Sequence, residues 1–435
     1  MICCTLRILP NENLALTNFS QSAFVCVIDR LGAGWIGPYG NTWVETPAFN
    51  QLATECVLFE QAFADSPDLS RLYQSYWVGN HALCVEASPA INLIGDLTSR
   101  GVDTILVTDE PFIAEHPLSD AFGRRLEVAP PVSSEPANVT LDTNFAQLFS
   151  AALGTLPELK PPFLLWMHSR GMEGPWDAPY CVRESFAAED DPFPPDFTAV
   201  PSCQLPTDFD PDELLGMVQA YAGQIVSVDE CLAGLLAAIS DYDDTPLLTI
   251  LTSPRGFPLG EHRVVGNHSP VLYSETLHVP YLLRYPTGQH ALRRVQRTIQ
   301  PADLSATLAE WYQLSITDPQ CMARSSLQVA VGTTGRLDDR ACAIHDGQRV
   351  FRTPAWQLKV HGTFEQGGKV ASGDTISAEL FTKPDDRLEV NNVIERCPEI
   401  VREMYKAAIE FEMAAANSDV QQLSDLPDVL VHGLD

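Results

Sequence analysis

The sequence predicts an α/β fold: a doubly wound sheet flanked by helices, followed by a smaller C-terminal α+β subdomain. Three observations predict it. Short apolar runs alternate with helical patterns along most of the chain. The first run, Phe24-Val-Cys-Val-Ile28, ends abruptly in Asp29 and a glycine-rich turn through Gly40, as a buried parallel strand delivering a carboxylate to the carboxyl edge of a sheet. Beyond about residue 335 the texture changes to antiparallel strands and a closing helix.

The elements follow in order. Thr46 caps a helix with Pro47 at its first position, and Phe49, Leu52, Ala53 and Cys56 share one face. Ile91 to Arg100 reads as a helix stopped by Gly101, and Thr104 to Thr108 as a short buried strand. Phe145 to Leu156 is a predicted helix, followed by a strand from Phe163 to Met167. A proline- and acid-rich surface loop runs from Asp190 to Asp210. Asp210 then caps a long helix, with Pro211 at its first position and Glu213 closing a capping box. Val218, Tyr221, Ile225, Leu232, Leu235 and Ile239 line its apolar side. Strands are expected over Leu247–Leu251 and Val279–Leu283, and a helix over Ala302–Tyr312. Val350 to Val360 and Ser377 to Thr382 read as antiparallel strands, and Pro398 to Glu412 as a helix. The expected organisation is an N-terminal extension over 1–20, an α/β domain over 21–330 and a subdomain over 331–435.

The 435 residues, 45% of them hydrophobic, are ample for a large core. With 57 acidic and 27 basic residues, the formal net charge is −30. Such a field repels nucleic acid and anionic membranes, so neither is expected as a partner. No apolar run has the length of a bilayer span, and the N-terminus lacks the basic start of a secretory signal. The eleven cysteines are scattered without metal-site spacing, as reduced core residues of a cytoplasmic protein. Asn138-Val-Thr matches a glycosylation sequon, which has no consequence without export.

The stretch Asp29-Arg-Leu-Gly-Ala-Gly-Trp-Ile-Gly-Pro-Tyr-Gly, then Thr46-Pro-Ala-Phe-Asn-Gln-Leu-Ala and Phe59-Glu-Gln-Ala-Phe-Ala-Asp-Ser-Pro67, resembles the opening of sulfatases. The likeness continues at Tyr221…Asp229, Leu251-Thr-Ser253, Leu259-Gly-Glu-His262 and Leu277-His-Val-Pro280. It resumes at Phe351-Arg-Thr-Pro-Ala-Trp-Gln-Leu358 and Glu379-Leu-Phe381…Pro384-Asp-Asp386. The resemblance implies an alkaline-phosphatase-like doubly wound mixed sheet and an ancestry in sulfuric ester hydrolysis. It also implies a formylglycine made from a Cys-x-Pro-Ser-Arg motif, and a calcium ion. That ion is held by two adjacent aspartates after the first strand and by an Asp-His or Asn-type pair after a later one. Such groups gather the charge that develops on the sulfate oxygens.

This chain departs from that pattern at four places. Arg30 stands for the second aspartate, and a guanidinium cannot ligate a cation. Aligned without gaps, Leu69 stands at the nucleophile; anchored on Arg71, Pro67 does. Thr252-Ser253-Pro254-Arg255-Gly256 replaces the later ligand pair with Pro254 and Arg255. Glu173 stands where an imidazole is expected, and Asn267, His268 or Ser269 occupies the region of the family's lysine.

Calcium, the family's cofactor, is therefore not expected here: Asp29 is its one matching ligand, and an internal bridge from Asp29 to Arg30 or Arg255 is expected instead. The two arginines are also candidates to hold a sulfate ester or another small anion. Ser70, Glu173 and His168 are the remaining catalytic candidates, with Ser70 set against a bland reading as a helix cap and His168 against one as a capping or hydrogen-bonded structural histidine. His262 and His268 read as solvated loop residues, and Tyr73 with Trp77 as core. The expectation is a degenerate, catalytically impaired family member that binds an anion or a protein partner. The competing reading is an active sulfuric or phosphoric ester hydrolase that uses Ser70 with Asp29 and Glu173. A third class is an assembly partner of an active paralogue.

Overall fold

A computed structural model describes residues 21–84, 92–129, 133–240, 246–268, 271–314, 322–333, 335–364, 378–417 and 419–434. The expected N-terminal extension, and Ser269, lie outside these residues. The first strands are β1 (Ser22–Ile28), β2 (Val57–Ala62), β3 (Asp103–Thr108), β4 (Arg124–Glu127), β5 (Phe163–Ser169), β6 (Cys203–Gln204) and β7 (Leu247–Thr252). They are followed by β8 (Val264–Val265), β9 (Tyr281–Arg284), β10 (Arg293–Ile299), β11 (Ala341–His345), β12 (Gln348–Arg352), β13 (Trp356–His361) and β14 (Ala378–Thr382).

Eight of these form one sheet in the order β10-β2-β9-β7-β1-β5-β3-β4. All its pairings are parallel except those of β9, which runs against both neighbours. The carboxyl ends of β1, β3, β5 and β7 therefore share one edge. Strand β1 is buried along its whole length, and its alternate side chains feed two cores. Phe24, Cys26 and Ile28 join the core roofed by the helices Pro47–Glu55, Asn144–Thr155 and Pro211–Ser240. Ala23, Val25 and Val27 join the core under Leu69–Val78, Leu93–Ser99 and Pro301–Trp311. Each large apolar side chain buried this way is worth about 1.5–3 kcal/mol.

The four-stranded antiparallel sheet β11-β12-β13-β14 packs Phe351, Leu358 and Leu380 against Met404 and Phe411 of the helix Pro398–Asn417. Backbone bonds tie it to the large sheet: the Ile344 amide donates to the Asp65 carbonyl at 2.9 Å.

Several elements differ from expectation for identifiable reasons. The run from Val350 to Val360 is two strands, broken where the Thr353 amide turns back to the Trp356 carbonyl at 2.8 Å. The strand expected from Val279 begins at Tyr281, because Pro280 has no amide to give the ladder. Thr46 holds the cap position, but its hydroxyl accepts from the Gly37 amide at 2.9 Å. The helix is capped from afar: the Asp229 carboxylate takes the Ala48 and Phe49 amides at 3.0 and 2.9 Å. Asp229 sits on the helix Pro211–Ser240, which by length and composition could cross a bilayer, yet 61% of its most apolar window is buried inside the fold.

Candidate functional site

The sheet's carboxyl edge collects charged side chains from four strand ends. Asp29 follows β1 and is fully buried. Arg30 follows with a left-handed φ of 64°, and that turn points its groups in three directions. Its amide donates to Asp29 Oδ1 at 2.9 Å, its carbonyl accepts from the Tyr221 hydroxyl at 2.8 Å, and its guanidinium leaves toward Glu173. The turn after β5 is pressed onto this backbone. Gly171 has φ 58°, and a Cβ there would lie 1.8 Å from the Asp29 carbonyl oxygen, so only glycine fits.

The expected internal bridge is present, and it is made by Arg255. Its Nε and Nη2 donate to Asp29 Oδ1 and Oδ2 at 3.0 and 2.9 Å, the parallel two-bond geometry that suits a guanidinium to a carboxylate. Its Nη1 donates to the Pro67 carbonyl at 2.7 Å. Arg30 reaches Asp29 through its amide only; its Nε donates to Glu173 Oε2 at 2.9 Å and its Nη1 to the Gly256 carbonyl at 3.2 Å. Asn267 Nδ2 donates to the other Glu173 oxygen, so of the residues weighed for that region Asn267 enters the site, while His268 is exposed. Two guanidiniums thus face two carboxylates, and the quartet is neutral. The surplus positive charge expected from Arg30 and Arg255 is offset by Glu173.

The ionisation states follow. Burial works against a charged Asp29, but Arg255 outweighs it, with Arg30 and His168 adding, and holds the carboxyl below its usual range. Burial likewise opposes the Arg255 charge, and Asp29 overrides it and raises its pKa. Burial, with Arg255 adding, takes Arg30 down to about 10 against the pull of Asp29 and Glu173.

His168, at the end of β5, is wholly buried and shares a short hydrogen bond through Nδ1 with the Tyr73 hydroxyl. Burial drives it to about 4, Asp29 opposing and Arg255 assisting, so the ring is neutral. Tyr73 and Trp77 are core residues, as expected, with ring centroids 4.4 Å apart. His262 is no solvated loop residue: it bonds Glu275 Oε1 at 2.7 Å and stacks on Tyr273.

The helix Leu69–Val78 bears on the two nucleophile alignments. Asp68 is its N-cap, accepting from the Ser70 amide at 2.8 Å, and half-buried Leu69 is its first residue. A motif proline belongs at that first position. Anchored on Arg71, the motif proline falls on Leu69 and the cysteine place on Pro67; without gaps, the cysteine place is Leu69 itself. Pro67 is also the residue whose carbonyl touches Arg255. Ser70 is exposed, and its hydroxyl makes no hydrogen bond to Asp29 or Glu173 among the described residues.

Three further groups were not singled out from sequence. Asp109, after β3, accepts from the Arg170 amide at 2.7 Å, and Glu110 pairs with the Arg170 guanidinium at 3.1 Å. Burial pushes the Asp109 carboxyl up to about 7 against the Arg170 amide and charge. The rule that marks Asp29, a carboxylate closing an apolar strand, also marks Asp109 after Thr104–Thr108.

Calcium takes about six to eight oxygen ligands; here both Asp29 oxygens accept from Arg255 and Glu173 Oε2 accepts from Arg30. Among the described residues no group of three or more His, Cys, Asp or Glu side chains could hold a metal.

The family model described as Sulfatase matches residues 22–314. No curated protein matches the chain. Among solved structures it is similar to a phosphonate monoester hydrolase of Agrobacterium radiobacter, at 16% identity and TM-score 0.69 over 93% of this chain and 96% of that one. It is similar to a protein solved with its substrate D-glucosamine-2-N,6-O-disulfate, at 14% identity and TM-score 0.71 over 92% and 98% of the two chains. A 2-O GAG sulfatase aligns at 16% identity and TM-score 0.64 over 93% and 94%. At these identities the structural likeness speaks for the fold, a mixed α/β sheet of alkaline-phosphatase-like type. Since the family model covers well over half of its length, the chain belongs to the sulfatase family.

Proposed function

We propose that this sulfatase-family chain does not hydrolyse sulfuric esters and acts instead by binding a ligand or a partner. The observation that supports this most is the two-bond grip of Arg255 on Asp29, which puts a fixed guanidinium against the oxygens that the family offers to calcium. Ester hydrolysis on this scaffold needs an attacking heteroatom and a cation that gathers charge on the oxygens of the transferred sulfuryl group. Neither Pro67 nor Leu69 offers such an atom. Asp29 and Glu173 are both tied to arginines, so neither is free to act as a base for Ser70. Cys26, Cys56, Cys181, Cys203, Cys231, Cys342 and Cys397 are free thiols, in keeping with a cytoplasmic setting, which we propose with the same reading.

The test is turnover of aryl sulfates and aryl phosphates with and without calcium, magnesium and zinc. No rate above buffer under any condition is expected. Metal-dependent turnover that disappears in Asp29→Ala would overturn the proposal and establish the active hydrolase in its place.

A further inference from the structure

A cleft of about 860 Å³ lies between the α/β domain and the C-terminal subdomain. None of Asp29, Arg255, Glu173 or His168 lines it. The α/β domain lends its lining Trp35, Trp43 and Phe63, and the C-terminal subdomain lends Arg352, Lys383 and Arg387.

Arg352 is the unusual group. It is 8% exposed, and its guanidinium sits 5.1 Å from the Phe63 ring centroid, an arrangement that offsets part of the cost of a buried charge. Its hydrogen bond runs from Nη1 to the neutral Gln357 Oε1 at 3.1 Å. Glu389 is the carboxylate that acts on it, but Glu389 is already held by Lys383 Nζ at 2.6 Å and by the Ser274 amide at 2.9 Å. Of the four acids in the lining, Asp385 is exposed and the other three are engaged. Glu275 bonds His262, Asp386 takes the Val390 and Asn391 amides at 3.0 and 2.9 Å, and Glu261 takes the Leu259 amide at 2.7 Å. His278 also lines the cleft, and its Nε2 donates to the Glu60 carbonyl at 2.8 Å. Burial, and then Arg352, Arg387 and Lys383 against the pull of that carbonyl, take His278 down to about 4. It stays neutral. Trp43 is 44% exposed at the mouth, with its ring 6.3 Å from that of Trp35.

We propose that this cleft binds a small oxyanion carried on a flat ring, a carboxylate or a phosphate, with Arg352 and Arg387 on the oxyanion and Trp35 and Trp43 against the ring. Arginine suits the role because its planar fork meets two oxygens of an oxyanion at once. The site stands apart from the sheet-edge quartet, so it survives or fails independently of the proposed loss of hydrolysis.

Isothermal titration of the full chain with phenyl phosphate, benzoate and inorganic phosphate tests it. Phenyl phosphate or benzoate is expected to bind more tightly than inorganic phosphate. Arg352→Gln and Arg387→Gln are each expected to weaken the ring anions by at least about tenfold, the loss of one charge-assisted bond. Arg170→Gln, at the sheet edge, should leave the affinity unchanged. Arg387 is exposed, so its variant decides the matter if Arg352→Gln fails to fold. Absence of binding at millimolar concentration, equal affinity in wild type and Arg387→Gln, or loss confined to Arg170→Gln would each overturn the site. Inorganic phosphate binding as tightly as phenyl phosphate would overturn the aromatic wall.

Discussion

Cutting the Asp29–Arg255 pair is the sharpest perturbation the structure offers. Arg255→Leu leaves a carboxylate whose side chain is 1% exposed without its cation, and the Arg255 side chain it replaces is itself only 12% exposed. Water therefore cannot easily take over, and breaking a buried pair from one side costs about 3–5 kcal/mol. That is a large share of the roughly 5–15 kcal/mol that keeps a typical protein folded. The assay is denaturant unfolding followed by tryptophan fluorescence, on Arg255→Leu, Asp29→Asn and the double variant. Each single substitution should lose stability on this scale, and the double should lose less than their sum by about 2 kcal/mol or more. The pH dependence has a definite sign. In the wild type the Asp29 pKa is depressed, so its contribution is complete above the unfolded carboxylate value near 3.9 and is lost only as pH falls through the lower folded value. In Arg255→Leu, burial prevails and raises that pKa, so stability is lost as pH rises. The gap between wild type and variant should therefore widen from about pH 4 to neutrality. Additive single losses, or a gap that ignores pH, would refute the view that one buried ion pair closes this edge.

Three further outcomes are expected. Gly171→Ala should cost more than about 1 kcal/mol, because the new Cβ meets the Asp29 carbonyl and φ is 58°; a stable, soluble variant by thermal melt would contradict the close approach. The triple variant Arg30→Asp, Pro254→Asp, Arg255→Asn, which returns oxygen ligands to the edge, should show a calcium-dependent rise in melting temperature that the wild type lacks. An equal rise in both proteins would mean that the arginines do not exclude the ion. The Asp109 carboxyl is raised to about 7, so its contribution is complete below the unfolded value and is lost as pH climbs through that range. The stability of Asp109→Asn relative to wild type should grow over that span and level off above it, read by urea unfolding against pH.

The fold was largely legible because it rests on local signals. A run such as Phe24 to Ile28 can satisfy two apolar cores only as a central strand, and Gly101 stops a helix wherever it is read. The mixed character of the sheet was less visible. Nothing in Tyr281–Arg284 itself says that it runs against its neighbours, since direction is set by how Pro301–Trp311 and its flanking strands return. At the site, each departure could be seen singly, and their pairing could not. Arg30 and Glu173 lie 143 residues apart, yet they form one ion pair; Arg255 answers Asp29 in the same way. The sequence reading let either arginine turn to Asp29. The left-handed turn at Arg30 sends its guanidinium elsewhere, and only the backbone torsion reveals that.

The carboxylate of Asp229 at the start of Pro47–Glu55 has a consequence for biosynthesis. On the ribosome, this early segment emerges long before the stretch that completes its amino end. Until some 180 further residues are made, its first amides must rely on solvent, and a nine-residue helix is too short to persist alone. Its final docking belongs among the late events of maturation, and a chaperone that shields nascent apolar surface has most to cover in that interval.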